Sequence, residues 1–560
     1  SNLSGVVFRY RNDRCLYFFG VRKNTAVILL LNEGTGYRKS KIITLAEQTY
    51  HYKAGQYLTG VVSLEGPHIK ATLPNGLTLE ADDATFTQGR IGLLADVPTR
   101  FKEISVEMEA NALSEAKARI AAREATEQRL QEANPRMVVW KRLHTEGFGT
   151  GRNVRFGDLD GDGRKDVLIA QVKNHGPKDR NSEVGCLTAL TFDGDQLWQS
   201  GEVDPWRVQL TSDVAVQIHD IDHDGRNEVI YCRDFELVIA DGATGKAMHA
   251  MPTPVSPPPV KKNDPHNKFE RILGDSLYFL DLRGQGWDGD LILKDRYSRL
   301  WAYTDKLELL WEAACTTGHY PYAYDIDGDG KDELAIGYSM IDDNGRMLWS
   351  HDRDLQDHAD AVAIARLNQD DPEPRLLCAA SDEGVFWTDM QGQILKHLYL
   401  GHVQSPTIAN LRDDLPGLET VTVNFWANQG IIHFFDSKMN PYHGFEPMQH
   451  ASEMLPLNWT GRSEEFFIVS ANVNEGAYDG WGRRVLRFPA DGHPDLCNAV
   501  VDLTGDCRDE IVVWDPHEMW VYTQSDNPKS GRLYRPYRNP DYNESNYQAS
   551  VSLPGWSTDR

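Results

Sequence analysis

A chain of 560 residues is too long for one ordinary core, so it must fold as two or more domains or as one large repeat array. Apolar residues make up 40% of it, and the longest apolar run, Ala26 to Leu31, is of strand length, which excludes a membrane-spanning helix. With 83 acidic residues against 58 basic ones, a formal charge of -25, the chain would repel nucleic acid and anionic membranes, and neither is expected as a partner.

The opening SNLSGVVFRY lacks the basic and apolar regions of a secretory signal, so such a segment is expected to be absent or already removed. From residue 1 to about 110 apolar and polar residues alternate, with turn signals at Glu65-Gly66 and Asn75-Gly76, a period-2 pattern that predicts antiparallel sandwich strands. The stretches Gln88 to Leu93 and Phe101 to Val106 resemble the closing strands of a concanavalin- or laminin-G-like β-sandwich. Residues 111–135 change to Ala, Glu, Arg and Gln without Gly, which predicts a charged linker helix ended by Asn134-Pro135. Seven scattered cysteines without a CxxC pair support neither a zinc site nor a disulfide framework.

Beyond residue 136 the chain repeats. Three full copies of an acidic motif carry Asp158, Asp160, Asp162, Arg164 and Asp166, then Asp220, Asp222, Asp224, Arg226 and Glu228, then Asp325, Asp327, Asp329, Lys331 and Glu333. Carboxylates at positions 1, 3, 5 and 9, a main-chain carbonyl at position 7 and glycine at position 6 wrap oxygen donors round one hard cation, so these loops are expected to bind structural Ca²⁺. The alternatives are a solvated acidic turn, or an EF-hand, which the strand-like flanks and the missing twelfth-position Glu oppose. A fourth copy at Asp502 loses its glycine, and worn copies begin at Asp281, Arg366, Asn410 and Pro456. Eight units of four short strands predict an all-β chain whose residues 136–560 form a β-propeller of about eight blades, or seven, with calcium loops, behind the sandwich at 1–110 and the helix at 111–135. Such loops suit a calcium-rich compartment: periplasm, cell surface or exterior.

A propeller offers one concave site, at the mouth of its channel, lined by residues just ahead of each innermost strand. That window is rich in histidine: His319, His358, His402, His450 and His493. Their recurrence in register marks His319, His402 and His358 as candidate catalytic groups. Candidate cationic contacts are Arg152, Lys268 and Arg271, the last two following a Pro-rich insertion at 252–259 long enough to act as a lid. Candidate sugar-stacking aromatics are Tyr320, Tyr322, Trp426 and Trp481, with His450 as a further substrate contact.

The acidic repeats, the segment Gly318-His319-Tyr320-Pro321-Tyr322-Ala323-Tyr324-Asp325 and the segment Ala409-Asn410-Leu411-Arg412-Asp413-Asp414 resemble the propeller polysaccharide lyases, in style the rhamnogalacturonan lyases of family 11 and related rhamnose-glucuronate lyases. The resemblance implies a monomeric enzyme acting on a plant-type acidic polysaccharide that contains rhamnose and uronic acid. It implies β-elimination across C4 and C5 of the uronate at an L-rhamnosyl-α-1,4-D-uronate linkage, with His319 or His402 as base, His358 next, and Arg152, Lys268 or Arg271 neutralising the carboxylate. A glycoside hydrolase on the same propeller, or a non-catalytic glycan-binding propeller, is the rival reading.

Overall fold

A computed structural model describes residues 2–145, 147–176, 181–206, 214–256, 258, 268–425, 430–449, 454–526, 533–539 and 548–557. Among these the chain is all-β apart from one α-helix, and it divides into two compact units: residues 1–125 with 398–401, and residues 126–397 with 402–560.

The first unit has a five-stranded antiparallel sheet in the order Lys39–Thr49, Thr25–Gly36, Cys15–Arg22, Leu3–Asn12, Arg90–Ala95, and a three-stranded sheet of Val61–Glu65, His68–Leu73 and Leu77–Asp82. Alternation sends Tyr17, Phe19, Ile28 and Leu30 of the large sheet into one core with Ile69, Ala71 and Leu79 of the small one. The glycine turns behave as the residue types require, since Gly66, Asn75 and Gly76 all take positive φ. Residues 101–106 depart from the expected closing strand. They form no strand and are exposed throughout, Ile104 by 62%. Their alternating pattern supplies an apolar face, but no neighbouring strand pairs with their main chain among the described residues. The helix Ala110–Ala133 has no buried residue, in keeping with its charged composition.

Among the described residues the second unit is a succession of eight sheets, antiparallel but for one strand pair in the sixth. The first holds Val154–Gly157, Asp166–Asn174, Ser182–Leu190 and Gln196–Gly201, and the next six repeat this meander of four strands in chain order. The sixth also takes Ser550–Leu553, parallel to Val403–Ala409, and Tyr537–Asn539. In the eighth, Cys497–Val501, Glu510–Trp514 and Glu518–Gln524 are completed by an outer strand from far earlier in the chain, Met137–His144. The second strands read as unbroken apolar runs because each sheet is covered on both faces. Neighbouring sheets share cores, and the last returns to the first: Val154 and Phe156 pack with Val501, Val512 and Trp514. The run therefore closes on itself.

The acidic motifs, full or worn, lie between the first and second strands of their sheets, except that the copy at Pro456 begins within the first strand, Leu455–Leu457. The segments entering the first strands lie at the opposite end, one short strand away. Those are the segments that carry the histidines.

Leu143 of the outer strand is buried in the core shared by the eighth and first sheets, whereas Val138 on the same strand is exposed. Leu143→Ala should cost about 2–5 kcal/mol of unfolding free energy in chemical denaturation, and Val138→Ala less than about 0.5 kcal/mol.

Candidate functional site

The segments entering the first strands of the fourth, fifth and sixth sheets carry His319, His358 and His402, and the three imidazoles meet at one carboxylate. Asp360 is 1% exposed. The Nε2 atom of His402 lies 3.3 Å from Asp360 Oδ2, and those of His319 and His358 lie 3.6 and 3.9 Å from Asp360 Oδ1. Main-chain pairing sets this convergence: His319 N–H donates to the Ala359 carbonyl, and Tyr320 bridges to Ala361. The Ser381 hydroxyl and, at 3.2 Å, the Gln404 amide donate to Asp360 as well.

Two of the rings are oriented from behind. Asp357 Oδ1 lies 2.9 Å from His358 Nδ1, and Asp382 Oδ1 lies 2.9 Å from His402 Nδ1. A carboxylate on Nδ1 fixes tautomer and ring direction and presents Nε2 forward. Tyr297 joins from the third sheet, its hydroxyl 3.2 Å from His319 Nε2 and its ring 4.7 Å from that of His358.

Environment gives the histidines different charges. Burial, then the neighbouring His358, Arg296 and Lys294, hold His319 well below the ordinary histidine range, so it is neutral. Burial also works against charging His402, but Asp360 and Asp382 outweigh it and raise its pKa to about 9, so it is an imidazolium at neutral pH. Burial acts to raise the Asp357 pKa, yet the His358 contact keeps it below the usual carboxylate range. His358 is the most open of the three, with 23% of its side chain exposed against 12% for His402 and 7% for His319. A carboxylate stands behind its Nδ1, and its Nε2 lies 3.9 Å from Asp360 Oδ1 and 3.5 Å from the Ser381 hydroxyl oxygen.

The same atoms could hold a divalent ion. Ligand atoms of His319, His358 and Asp360 lie within 4.8 Å of one another, as do those of Asp357, Asp382 and His402. Mixed imidazole and carboxylate donors fit such an ion, and carboxylates on the far nitrogens are a common support for metal-bound histidine.

Of the residues singled out from the sequence, His319, His358 and His402 come together and others do not. Tyr320 and Tyr322 are buried, and the Tyr320 hydroxyl donates to the Leu277 carbonyl at 2.9 Å, so neither ring offers a face to sugar. Arg271 donates to the Thr253 carbonyl, and its main chain bridges to Val255, which ties the two feet of the insertion together. Lys268 is exposed beside that insertion, whose residues 252–256 and 258 are described, while 257 and 259 lie outside the described residues, as do Trp426 and His450. Arg152 sits ahead of the first sheet, in a loop whose neighbour Gly151 meets Cys497. His493 is engaged elsewhere, with Asp491 at 2.7 Å and the Ala471 carbonyl at 2.8 Å. Two guanidiniums stand over the Trp481 ring, Arg483 at 4.4 Å and Arg412 at 4.7 Å, in place of a sugar.

Sequence reasoning missed Asp357, Asp360, Asp382, Lys294, Arg296 and Tyr297. The first two flank His358 directly. Lys294 ends a second strand and the others lie on turns between second and third strands, which reach the same end of the sheets and could have been found by counting one hairpin further along each repeat.

At the opposite end, ligand atoms of Asp158, Asp160 and Asp166, of Asp220, Asp222 and Glu228, and of Asp325, Asp327 and Glu333 form three clusters. Asp158 accepts the N–H groups of Gly161 and Gly163, and Asp325 those of Gly328 and Gly330, so the glycine turns bend the main chain round the first carboxylate. Burial, then the neighbouring carboxylates, pushes Glu228 up to about 8; burial does the same to Glu333, up to about 7. The Arg164 and Lys331 side chains turn to Asp162 and Asp343. In the worn loop of the third sheet Arg283 occupies position 3 and donates to Asp290 at 2.7 Å, an internal cation among the carboxylates.

No protein-family model matches the chain. It is similar to the rhamnogalacturonan endolyase YesW of Bacillus subtilis (strain 168), 24% identical over 470 residues that cover 70% of each protein. Among solved structures it is similar to rhamnogalacturonan lyase YesW, with 17% identity, 99% of this chain and 96% of that one covered and a TM-score of 0.53. It is also similar to the exotype rhamnogalacturonan lyase YesX, with 15% identity, 98% and 96% covered and a TM-score of 0.54. A third likeness is to the Bacillus licheniformis rhamnogalacturonan lyase PL11, with 16% identity, 95% and 92% covered and a TM-score of 0.53. The chain has the fold of these lyases, and it resembles the family 11 rhamnogalacturonan lyases along most of its length.

Proposed function

We propose that the protein is a polysaccharide lyase that breaks an L-rhamnosyl-α-1,4-D-uronate linkage by β-elimination and leaves an unsaturated uronate. The observation that carries this reading is the histidine centre, in which one imidazole is held neutral, one is held charged, and a third, backed by Asp357, is the most exposed of the three. Elimination needs a base for the C5 proton and positive charge at the carboxylate, where the enolate-like transition state gathers its negative charge. In this reading His358 Nε2 takes the proton and the His402 imidazolium faces the carboxylate. The C4–O4 bond breaks, the C4=C5 bond forms, and the leaving oxygen takes up a proton. His319, buried between Tyr297 and Asp360, positions the other two. These roles differ from the first expectation, which placed the base at His319 or His402. Burial closes off one, and two carboxylates keep the other protonated.

A second reading of the same centre has an observation of its own. Asp275, Asp357, Asp360 and Asp382 bring four carboxylates there, against the fixed cations Lys294 and Arg296. A divalent ion held by His319, His358 and Asp360 would balance that charge and, when bound, would polarise the uronate carboxylate. Loss of activity in chelator, restored by a divalent ion and abolished together with one bound equivalent in His319→Ala, would favour it.

In the same proposal the ring of eight sheets is an eight-bladed β-propeller forming the catalytic domain at 136–560, behind a front β-sandwich at 1–110 and a helix at 111–135. The loops at Asp158, Asp220 and Asp325 hold structural Ca²⁺, which suits a protein working outside the cytoplasm. No described helix is long and apolar enough to cross a membrane. Rhamnogalacturonan and the rhamnose-capped glucuronate of arabinogalactan side chains are the two substrates that offer the linkage.

Digestion of rhamnogalacturonan and of gum arabic side chains should raise the ultraviolet absorbance of an unsaturated uronate. New reducing ends without that absorbance would mean hydrolysis, and retention without products a binding protein. His358→Ala should lower turnover by roughly 10²–10⁴ with little change in melting temperature. Because the His402 pKa is raised to about 9, its charge is present below that value; kcat/KM should therefore fall as pH rises through about 9. Chelation should lower the melting temperature, by an amount equivalent to about 2.7 kcal/mol for calcium at a hundred times its Kd. Reloading the stripped protein at pH 7 should release protons, because the ion displaces those that Glu228 and Glu333 hold.

A further inference from the structure

The turn between the second and third strands of the fifth sheet, Arg375–Ala379 and Val385–Thr388, carries Ser381, which is fully buried and has a φ of 48°. In that left-handed region the Cβ of an ordinary residue crowds its own main chain, whereas glycine has no such clash. A side chain retained at such a point, inside a cluster of titratable groups, marks a use for that side chain.

Each part of Ser381 is engaged. Its hydroxyl donates to Asp360 Oδ2, and the same oxygen lies 3.5 Å from His358 Nε2. Its carbonyl accepts the N–H groups of Gly384 and Val403, both at 3.0 Å; the first closes the turn, and the second crosses to the residue that follows His402 in the sixth sheet. The next residue, Asp382, lies 2.9 Å from His402 Nδ1, and its own N–H donates to Asp357 Oδ2 at 3.1 Å. The two donors to Asp360 divide its oxygens between them. Ser381 bonds Oδ2, which faces His402 Nε2 at 3.3 Å, and the Gln404 amide bonds Oδ1, which faces His319 and His358. The terminal torsion of an aspartate is soft, so fixed donors on both oxygens are what hold the carboxylate plane still. Without the hydroxyl the plane can turn, and the acceptor positions shared by the three imidazoles turn with it.

We propose that Ser381 is a positioning residue of the reaction: its hydroxyl fixes the plane of Asp360 and, through that carboxylate, the arrangement of His319, His358 and His402. The left-handed main chain is tolerated because glycine, which would relieve it, has no hydroxyl to offer. This assignment rests on the lyase reading above and holds whether the centre works with imidazolium or with a bound ion, since Asp360 takes part in both.

The test measures kcat and KM of the full-length protein on rhamnogalacturonan and on gum arabic side chains, by the absorbance of the unsaturated product, together with the melting temperature, for the wild type, Ser381→Gly and Ser381→Ala. Both variants lose the hydroxyl, but only alanine keeps a Cβ at positive φ, so Ser381→Gly should melt higher than Ser381→Ala. The two should nevertheless lose kcat alike, roughly 10- to 100-fold, with KM nearly unchanged. Activity that follows the melting temperature, lost in the alanine variant and kept in the glycine variant, would mean a structural role only and overturn the assignment. So would wild-type kcat in both variants, or a loss expressed in KM alone. Each of these outcomes leaves the lyase reading intact. A wild type that forms unsaturated product from neither substrate would overturn both.

Discussion

Each four-stranded sheet of the second unit is apolar on both faces, so none is stable without a neighbour on either side. A linear stack would leave two such faces in water. The chain removes both by packing the eighth sheet on the first and completing the eighth with Met137–His144, a strand made more than three hundred and fifty residues before its partner Glu518–Gln524. Closure brings the first strands of neighbouring sheets side by side, and with them the segments that enter those strands. The meeting of His319, His358 and His402 is a consequence of that packing.

At their meeting point the decisive group is Asp360. A carboxylate this deeply buried must be hydrogen-bonded or paired, and it has the Ser381 hydroxyl, the Gln404 amide and three imidazoles about it. What separates three chemically identical side chains is the number of carboxylates each one faces and how much water each one keeps. His402 lies between two carboxylates and stays charged. His319 faces Asp360 at longer range, is buried and has cations nearby, and so is neutral.

The repeat keeps two sets of charges apart. Its acidic loops lie at the far end of each first strand from the histidines. In the worn copies a guanidinium stands among the carboxylates: Arg283 meets Asp290 within the third sheet, and in the seventh and eighth sheets Glu465 and Asp509 share Arg538. A guanidinium built into the chain offsets the charge of buried carboxylates.

The sequence alone determined what local spacing can encode. The acidic motifs, their glycines and the apolar runs after them reveal the repeating unit and its register, and counting back from each motif finds His319, His358 and His402. It also suggested partners by residue type, and there it failed. Tyr320 and Tyr322 have the chemistry of a sugar platform but point into the core, and Arg271 is taken by the Thr253 carbonyl. Residues 101–106 have the alternation of a strand without a partner to pair with. Only the tertiary structure decided which carboxylate stands behind which imidazole, because Asp360 and Asp382 come from the fifth sheet and Tyr297 from the third, and their distances from His319 and His402 depend on how the sheets pack. Charge state follows from the same packing: burial and neighbouring charge set a pKa, and neither is a property of a residue's place in the chain.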